Sequence, residues 1–326
     1  MDYVNLGRTG VKISRLILGG GNFGGIGSSP AFFGQGETEE QAFRLMDAAV
    51  DMGINVIDTA DAYGGGRSEE MIGRWLKTKG SHVRDQLLMS SKVFNPVGDG
   101  PNDGGLSRRH IMRQVQASIR RLGVDHLDLY LIHEPDPTTP LDETLRALDD
   151  LVHQGTVRYV GASNMPAWLT ARSLWLSDRL GLHRFDWIQN SHSLLERGDE
   201  KELFPLLADQ ALGYTPFSPL AGGWLTGKYR RDAPYPEGSR MTMRPEPYLG
   251  LQREAIYKGL DRLAARAAER GVDMATLALA WLLASPRVTA VILGPRRPEQ
   301  LQPGLGALDI RLDPDERRQI SDYFTE

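Results

Sequence analysis

Short apolar runs alternate with stretches of helical length along almost the whole chain, and this alternation constrains the fold more than any other feature. It is typical of β-α-β units, because each crossover between parallel strands needs a connection about as long as a helix. Eight runs rich in valine, isoleucine and leucine lie at residues 16–20, 55–59, 87–92, 127–133, 157–163, 186–190, 213–218 and 288–293. Eight strands with intervening helices close a TIM-type (β/α)8 barrel, so we predict that α/β fold.

The stretches between the runs carry apolar residues at helical spacing. In residues 38–53 the predicted apolar face consists of Phe43, Met46, Ala49 and Val50. In residues 141–155 it consists of Leu145, Leu148, Leu151 and Val152, and Gly155 is expected to end that helix. These patterns support the alternation of strand and helix.

Two departures from plain repetition stand out. Residues 3–15 read as a β-hairpin, "YVNL" and "VKISR" around "GRTG", which we expect to close the barrel floor. Three connections are long and aromatic: residues 21–36, 93–106 and 219–252. All three follow strand C-termini, where barrel enzymes keep their chemistry. No segment resembles a linker, so residues 1–326 are predicted to form a single domain.

Bulk composition narrows the possible partners. The formal net charge is −4 and basic residues form no long block, so no nucleic-acid partner is expected. No run approaches the roughly 18 apolar residues of a membrane span, so no membrane partner is expected either. The chain has no cysteine, which excludes disulfides, thiolate catalysis and cysteine-bound zinc. Together with an N-terminus that lacks an apolar signal core, this predicts a cytoplasmic protein.

Three neighbouring runs each end in a titratable residue. Asp58 ends the apolar part of the second run, Lys92 ends the third run and His133 ends the fourth. Because the carboxyl ends of parallel strands meet at one rim, these side chains should converge there. Tyr63 lies just beyond Asp58 and is followed by three glycines, which allow it to fold back over the rim. Packing alone rarely places titratable groups at three adjacent strand ends, so we predict a catalytic set.

Six segments together resemble the aldo-keto reductases over essentially the whole chain: "DTADAYGGGRSEEMIGRWL", "SSK", "LYLIHEPDP", "VGASNM", "IQNSHSLLER" and "FSPLAGGWLTGKY". The segment "FNPVGDGPNDGGLSRRHI" resembles the branch that includes aryl-alcohol dehydrogenases and potassium-channel β-subunits. The resemblance implies an NADP(H)-dependent oxidoreductase that reduces an aldehyde or ketone to an alcohol.

The four polar residues suit that chemistry. Hydride transfer to a carbonyl needs a proton for the developing alkoxide, and a phenol can supply it. A free tyrosine has a pKa of about 10, so we expect the ammonium of Lys92 to lower the pKa of Tyr63. Asp58 is expected to hold Lys92 charged. His133 is predicted to donate a hydrogen bond to the substrate oxygen and orient it.

The resemblance implies NADPH (NADP+) bound across strands five to eight. Ser163, Asn164 and Gln189 match positions that bind the nicotinamide carboxamide, and Asp58 also adjoins the cofactor. Phe217 falls where the family has an aromatic residue that stacks on the nicotinamide ring. Gly20 and Gly21 are expected to let the backbone approach that ring. They belong to a GxGxxG match that no helix follows, so a Rossmann fold is not predicted.

Further residues are predicted to hold the phosphates and the adenosine. Backbone amides of 218–223 suit a pyrophosphate, with Ser218, Leu220 and Gly222 as contacts. Lys228 and Arg240 could add positive charge there. Gly294, Arg296 and Gln300 follow the eighth strand, where a planar guanidinium favours a ribose 2′-phosphate and hence NADPH over NADH. The family's Glu-Asn pair at the adenine is replaced by Pro303-Gly304, so the adenine contacts must differ.

The long loops supply candidate substrate contacts, namely Phe32, Phe33, Phe94 and Trp224. Aromatic loops favour a planar or apolar group beside the carbonyl, but sugars also stack on aromatic faces. An aryl aldehyde, a quinone and a keto-sugar therefore stay open as the small-molecule carbonyl substrate. Physiological direction and oligomeric state are also left open by the sequence.

Two other functions stay open as alternatives. Lys92 at a strand end could form a Schiff base in an aldolase-type barrel. The same scaffold could instead serve as a nicotinamide-sensing binding module of the channel β-subunit type. A metal site at His133, Glu134 and Asp136 is not predicted, because their spacing around Pro135 suits neither helical nor strand ligation.

Overall fold

The computed structural model describes residues 1–325 of the 326-residue chain. Ten strands lie within this part. They are β1 Tyr3–Asn5, β2 Lys12–Ser14, β3 Leu16–Gly19, β4 Val56–Asp58, β5 Leu88–Val93, β6 Leu127–Ile132, β7 Val157–Ser163, β8 Trp187–Gln189, β9 Gly213–Tyr214 and β10 Val291–Leu293.

The α-helices of the described residues are α1 Glu39–Asp51, α2 Arg67–Thr78, α3 Ser81–Gln86, α4 Arg108–Leu122, α5 Leu141–His153, α6 Ala167–Leu180, α7 Leu203–Gln210, α8 Arg240–Met243, α9 Glu254–Glu269, α10 Met274–Leu283, α11 Gln302–Asp309 and α12 Pro314–Asp322. Short 3-10 turns lie at Pro30–Phe32, Tyr63–Gly66, Gly198–Glu200, Ala221–Thr226, Glu246–Leu251 and Pro298–Leu301. Within residues 1–325, no helix combines the length and the apolar character that a membrane crossing requires.

Eight strands form one parallel sheet in the order β10, β3, β4, β5, β6, β7, β8, β9. The two ends of this sheet are joined through the backbone. Thr289 N donates to Tyr214 O at 2.8 Å, and Ile292 N donates to Pro216 O at 3.0 Å. These bonds run between the segments around β9 and β10, so the sheet curls back on itself. The predicted (β/α)8 barrel is confirmed.

The interior of the barrel is filled by alternate residues of the strands. The buried cluster that fills it contains Ile17, Val56, Leu129, Leu131, Trp187, Ala290 and Ile292. Leu6 and Ile13 of the β1–β2 hairpin belong to the same cluster, so the hairpin closes the floor as predicted. The other face of each strand packs under the helices, which explains why the runs read as apolar on both faces.

The predicted helix faces are largely but not wholly correct. In α5, Leu145, Leu148 and Leu151 are buried, and Gly155 follows the helix with a φ of +71°. In α1 the buried face consists of Ala42, Leu45, Met46 and Ala49, whereas Phe43 and Val50 are only half-buried. The face of α1 is therefore rotated from the prediction, because Ala42 and Leu45 are fully buried in the main core.

The three long connections follow β3, β5 and β9 and therefore surround the mouth of the barrel. The third was expected to be a loop, but it contains α8 and two 3-10 turns. Such short helical pieces are marginal alone and are stabilised by tertiary packing. Here the packing comes from Trp224, Tyr229 and Met241, which are buried in the main core.

Candidate active site

Four polar side chains meet at the mouth of the barrel, at the carboxyl ends of the neighbouring strands β4, β5 and β6. Lys92 Nζ lies 2.5 Å from Asp58 Oδ2 and 3.4 Å from the hydroxyl of Tyr63. The Tyr63 hydroxyl lies 3.4 Å from His133 Nε2, and the two rings meet edge to face. The structure thus brings together Asp58, Tyr63, Lys92 and His133.

Strand geometry accounts for the placement of the buried ion pair. Ser90 and Lys92 are two residues apart on β5, so both point into the barrel toward Asp58 at the end of β4. Ser90 Oγ and Gln189 Nε2 donate to Asp58 Oδ1 at 2.8 and 3.2 Å, and Lys92 also donates to Thr59 O at 3.0 Å. Lys92 is 1% exposed and Asp58 4%. Both buried charges therefore have full sets of partners.

Tyr63 reaches this pair from a tight turn. It begins the 3-10 turn Tyr63–Gly66, in which Gly64, Gly65 and Gly66 have φ values of +59°, +69° and +92°. A Cβ atom on Gly65 would lie 2.8 Å from the ring of Phe33, so the turn needs glycine for space as well as for its backbone conformation. The glycines are thus what returns the tyrosine to the rim.

Charge and burial act against each other at this site. Burial lowers the pKa of Lys92, but the charge of Asp58 and contact with Tyr63 outweigh it and raise that pKa above its usual value. Burial raises the pKa of Tyr63, and the opposing effect of Lys92 is smaller. The predicted lowering of the Tyr63 pKa is therefore wrong for the protein alone. The phenol keeps its proton at neutral pH, which is the form that a proton donor requires.

His133 is held in one protonation state and one tautomer. Burial and the nearby charge of Lys92 lower its pKa to about 3, so the imidazole is neutral at pH 7. The Asn95 side chain places its Nδ2 amide 2.9 Å from His133 Nδ1. An amide nitrogen can only donate, so Nδ1 accepts and the proton must be on Nε2, which faces Tyr63. The sequence analysis missed Asn95, whose one signal is its place three residues after Lys92.

The predicted carboxamide-binding residues lie beside the four polar side chains. Ser163 Oγ donates to Gln189 O at 2.7 Å, and Asn164 Nδ2 donates to His133 O at 2.9 Å. Asn164 has a φ of +55°, a conformation that asparagine tolerates better than most residues. Phe217 is half-buried and packs against the cluster that fills the barrel.

The two glycines after β3 lie against the same site. Gly20 N donates to Asp58 O at 2.7 Å, and Gly20 O accepts from the hydroxyl of Ser68 at 2.9 Å. A Cβ on Gly21 would lie 3.6 Å from the Tyr63 ring. The absence of side chains keeps the backbone close to the tyrosine.

The segment predicted to receive a pyrophosphate forms a compact left-handed turn. Positive φ values occur at Ser218, Ala221, Gly222 and Gly223, and Leu220 between them is half-buried. A Cβ on Gly222 would come within 2.5 Å of the Tyr248 ring, so the third long loop closes over this turn. Successive residues of this kind make a concave set of backbone amides, which suits an anion.

Three cations gather near this turn. Burial lowers the pKa of Lys228, and the charges of Arg240 and Arg296 lower it further. Burial lowers the pKa of Arg240 as well, and its guanidinium donates to Asn22 Oδ1 at 3.0 Å. The positive charges that lower the pKa of Lys228 in this way favour an anionic ligand nearby.

Arg296 is already engaged within the protein. Its Nε donates to Glu37 Oε1 at 2.6 Å and its Nη1 to Gly238 O at 2.7 Å. Gln300 Oε1 accepts from Arg296 N at 2.7 Å and so shapes the turn that carries the arginine. Gly294 is exposed, and a Cβ there would meet nothing within 4 Å.

The Pro303-Gly304 pair lies in the first turn of α11. A Cβ on Gly304 would lie 2.7 Å from Leu293 and 3.1 Å from Leu16, both of which are buried under the helix. A larger residue at 304 would push α11 away from the barrel. The departure from the family pattern is therefore a packing requirement of this chain.

Three of the predicted substrate residues lie near the mouth. Phe32 and Phe33 are half-buried in the first long loop, where Arg244 lies over one ring and Arg67 over the other, both at 5.6 Å. Phe94 follows β5 directly and is also half-buried.

Trp224 lies elsewhere. It is fully buried in the main core, with its ring 5.3 Å from Tyr229 and 5.6 Å from Tyr257. The prediction that Trp224 contacts substrate is therefore wrong, because the ring anchors the third long loop instead.

Comparison with known proteins places this site in context. The aldo/keto reductase family model matches residues 15–323. An uncharacterized oxidoreductase of Bacillus subtilis is 37% identical, covering 99% of this chain and 96% of its own length. A probable voltage-gated potassium channel subunit beta of Arabidopsis thaliana is 35% identical over 95% of this chain and 92% of its own. A Schizosaccharomyces pombe protein provisionally named an aryl-alcohol dehydrogenase is 34% identical over 99% of this chain and 95% of its own length. This chain belongs to the aldo/keto reductase family.

Proposed function

We propose that this protein is an NADPH-dependent oxidoreductase that reduces an aldehyde or ketone to an alcohol, with Tyr63 as the general acid. One observation carries the proposal. The Tyr63 hydroxyl lies 3.4 Å from both Lys92 Nζ and His133 Nε2, at the mouth of the barrel. A neutral phenol between an ammonium and an imidazole N–H is arranged to release its proton where negative charge develops.

When NADPH is bound, its dihydronicotinamide would supply the hydride to the carbonyl carbon. Tyr63 gives its proton to the carbonyl oxygen as the alkoxide forms, and the tyrosine becomes a phenolate. The ammonium of Lys92 stabilises that phenolate, because its own pKa is raised by Asp58 and it stays charged. His133 Nε2–H donates to the same oxygen and orients it. His133 does not titrate near neutral pH, because its pKa lies at about 3.

The residues present fit NADPH. The turn at 218–223 provides the glycine-rich concave backbone, and Lys228, Arg240 and Arg296 surround it with positive charge. Ser163, Asn164, Gln189 and Phe217 would hold the nicotinamide, with Gly20, Gly21 and Asp58 beside it. Gly294 and Gln300 flank Arg296, which would bind the 2′-phosphate. A guanidinium binds phosphate more strongly than it binds a ribose hydroxyl, so we propose NADPH over NADH.

The proposed substrate class rests on the aromatic residues at the mouth of the barrel. Phe32, Phe33 and Phe94 offer aromatic surface beside the proposed acid, which suits an aryl aldehyde, a quinone or a keto-sugar. We expect the protein to act in the cytoplasm, in keeping with a sequence that contains no cysteine.

A Schiff-base aldolase is a weaker explanation of the same site. A lysine must be neutral to attack a carbonyl, and such lysines have lowered pKa values. Lys92 is instead paired with Asp58 at 2.5 Å, and its pKa is raised. A nicotinamide-sensing binding module is the second candidate, favoured by the similarity to a channel β-subunit.

The experiment that tests the proposal is an NADPH-depletion screen over aryl aldehydes, quinones and keto-sugars, with a Tyr63→Phe variant as control. We expect turnover in the wild type and a fall in kcat of about 100-fold or more in the variant. NADPH affinity, followed by fluorescence titration, should not change. An unchanged kcat would rule out Tyr63 as the acid. Slow NADPH release without turnover on any carbonyl would favour the binding module, and borohydride trapping of substrate on Lys92 would favour the aldolase.

A further inference from the structure

A cluster of one carboxylate and two imidazoles lies on the side of the barrel away from Tyr63. We propose that Asp149, His153 and His183 form a binding site for a divalent transition metal ion of the Zn2+ type. Each residue offers one ligand atom, and these atoms lie within 4.8 Å of one another. Within residues 1–325, no other group of three or more histidine and acidic residues comes together in this way.

Two separate elements build the cluster. Asp149 and His153 are one turn apart on α5, so their side chains lie on the same face of the helix. His183 comes from the connection between α6 and β8, two residues after the left-handed Gly181 that ends α6. An aspartate and a histidine at i and i+4 joined by a histidine from a neighbouring loop is a set of three nitrogen and oxygen ligands that zinc accepts.

The candidate ligand atoms lie close enough together for one ion to join them. His183 Nδ1 lies 2.7 Å from Asp149 Oδ1, which is a hydrogen-bond distance, and His153 Nδ1 lies 3.3 Å from Asp149 Oδ2 and 3.0 Å from the backbone carbonyl of Asp149. Bonds of about 2.0–2.1 Å to zinc in a tetrahedral arrangement place two ligand atoms about 3.3 Å apart. The centroids of the two imidazole rings are 4.9 Å apart and the rings are nearly perpendicular. Small rotations of exposed side chains would suffice to admit an ion.

The carboxylate is already oriented for this role. The backbone N–H of His183 donates to Asp149 Oδ1 at 2.8 Å and its Nδ1 contacts the same oxygen, so Oδ2 is the oxygen more open to a metal. Asp149 is buried, whereas both histidines are exposed. The site is therefore anchored on one side and open to solvent on the other, where water can complete the coordination.

The local charge also favours a cation. His153 is the last residue of α5, and the C-terminal end of a helix carries partial negative charge. The nearest guanidinium in sequence, Arg184, is turned away toward Gln210 O at 2.8 Å. Asp186 lies within electrostatic range of His183, but also of the cations Arg184 and Arg8, so it is not counted as a ligand.

The position of the site indicates what a metal would do. The connections at 154–156 and 181–186 lead into the amino ends of β7 and β8, so the cluster is on the floor side of the barrel. An ion there would join the end of α5 to the α6–β8 connection and stabilise two successive β/α units. It would not take part in chemistry at the mouth, so this inference does not depend on the proposed reductase function.

The test is a titration of the full-length, tag-free protein with Zn2+ in a buffer that sets the free metal concentration, followed by calorimetry and thermal unfolding. We expect one ion per chain at micromolar free Zn2+ and an upward shift in Tm. Co2+ in place of Zn2+ should give the visible absorption of a tetrahedral site. His153→Asn and His183→Asn should each weaken Zn2+ binding by at least about tenfold, since even outer-shell partners of a metal commonly contribute that much.

The matched control is His126→Asn. His126 is half-buried and also lies near one carboxylate, Asp128 at 3.5 Å, but it has no second imidazole. This variant should bind Zn2+ like the wild type. Binding that persists in the His153→Asn/His183→Asn double variant, or that appears only at millimolar Zn2+, would overturn the proposal. Circular dichroism confirms that each variant is folded before titration.

Discussion

The Asn95 side chain determines which ring nitrogen of His133 carries the proton, although the hydrogen bonds above connect it to neither Tyr63 nor Lys92. Its amide nitrogen lies 2.9 Å from Nδ1, which leaves the proton of the neutral imidazole on Nε2. An acceptor at residue 95 would reverse this arrangement, because Nδ1 would then carry the proton. Asn95 is thus a positioning residue for the proposed proton chemistry.

We therefore predict that Asn95→Asp lowers kcat by about 100-fold, the usual loss when one donor to a developing oxyanion is removed. The new carboxylate should also raise the pKa of His133 from about 3, so the pH profile of kcat/KM should gain a titration at higher pH. Steady-state kinetics from pH 5 to pH 9 measure both effects.

Asn95→Ala is the matched control for this prediction. It removes the donor without supplying an acceptor, so its loss of kcat should be smaller and its pH profile unchanged. NADPH affinity should be the same in both variants. Equal losses in the two variants with no new titration would assign Asn95 a purely structural role.

At the same scale, the sequence was informative about residues at strand ends and less so about loops. Asp58, Lys92 and His133 could be identified because each terminates an apolar run, and parallel strands share a rim. Asn95 could not, since its importance depends on the orientation of a histidine from another strand. The direction of the Tyr63 pKa shift depends on burial, which a local pattern does not reveal. Trp224 looked like a mouth residue because its loop is long, but the side chain packs inward.

Among the elements, the second long connection is tied to the loop after β6 by Asp136. Its carboxylate accepts from Leu106 N, Thr138 N and the hydroxyls of Thr138 and Thr139, at 2.6–2.8 Å. Burial alone would raise the pKa of Asp136, but these hydrogen bonds outweigh it and lower the pKa to about 2. The ionised carboxylate therefore holds the segment that carries Phe94 and Asn95.

We predict that Asp136→Asn destabilises the protein by about 1 kcal/mol at pH 7, the low end for hydrogen bonds to a charged group that is partly open to water. Because the folded pKa lies below the usual 3.8, this contribution is fully present above about pH 4 and is lost as the pH falls toward 2. Urea unfolding at pH 7 and at pH 2.5 measures the difference. A variant equally destabilised at both pH values would contradict this account.

The turn after β10 presents Arg296, and we predict that Arg296→Leu raises the KM for NADPH by about tenfold or more while that for NADH changes little. The matched control is Arg297→Leu, since Arg297 is an exposed neighbour with the same charge. The Glu37→Gln/Arg296→Leu double variant is a second control, because it removes the buried carboxylate that Arg296→Leu alone would leave without its cation. A clear preference of the wild type for NADH would defeat the argument.

The number and order of the strands were predictable from the sequence, but their lengths were not. β7 spans 157–163 as predicted, whereas only Gly213–Tyr214 of the run 213–218 and Val291–Leu293 of the run 288–293 form regular strands. Pro216 has no N–H for a ladder, and the neighbouring residues bond singly across the closure of the barrel. The apolar pattern is similar in all three runs, so it does not show how much of each run forms a regular strand.

On the scale of the whole molecule, closure of the barrel depends on few bonds at one seam, the junction between the segments around β9 and β10. Thr289 contributes two of them: its N–H donates to Tyr214 O at 2.8 Å, and its hydroxyl accepts from Tyr214 N at 3.0 Å. Tyr214 is fully buried, so its N–H has no water to bond instead.

We predict that Thr289→Val, which keeps the shape but removes the acceptor, lowers the free energy of unfolding by about 1–3 kcal/mol. Thr289→Ser retains the hydroxyl and should lose much less. Chemical denaturation of the two variants side by side makes the comparison. A Thr289→Val variant as stable as Thr289→Ser would show that the hydroxyl does not hold the seam.

Because the guanidinium of Arg296 is paired with Glu37, a phosphate that binds it must displace that carboxylate. Glu37 directly follows the first long loop and Gly238 belongs to the third, and both are hydrogen-bonded to the side chain of Arg296. A phosphate that displaced them would gain only the difference between two ion pairs. The same displacement would break the contacts of Arg296 with the first and third long loops together. Binding of a phosphate and loosening of these two loops at the mouth of the barrel would therefore occur in one step.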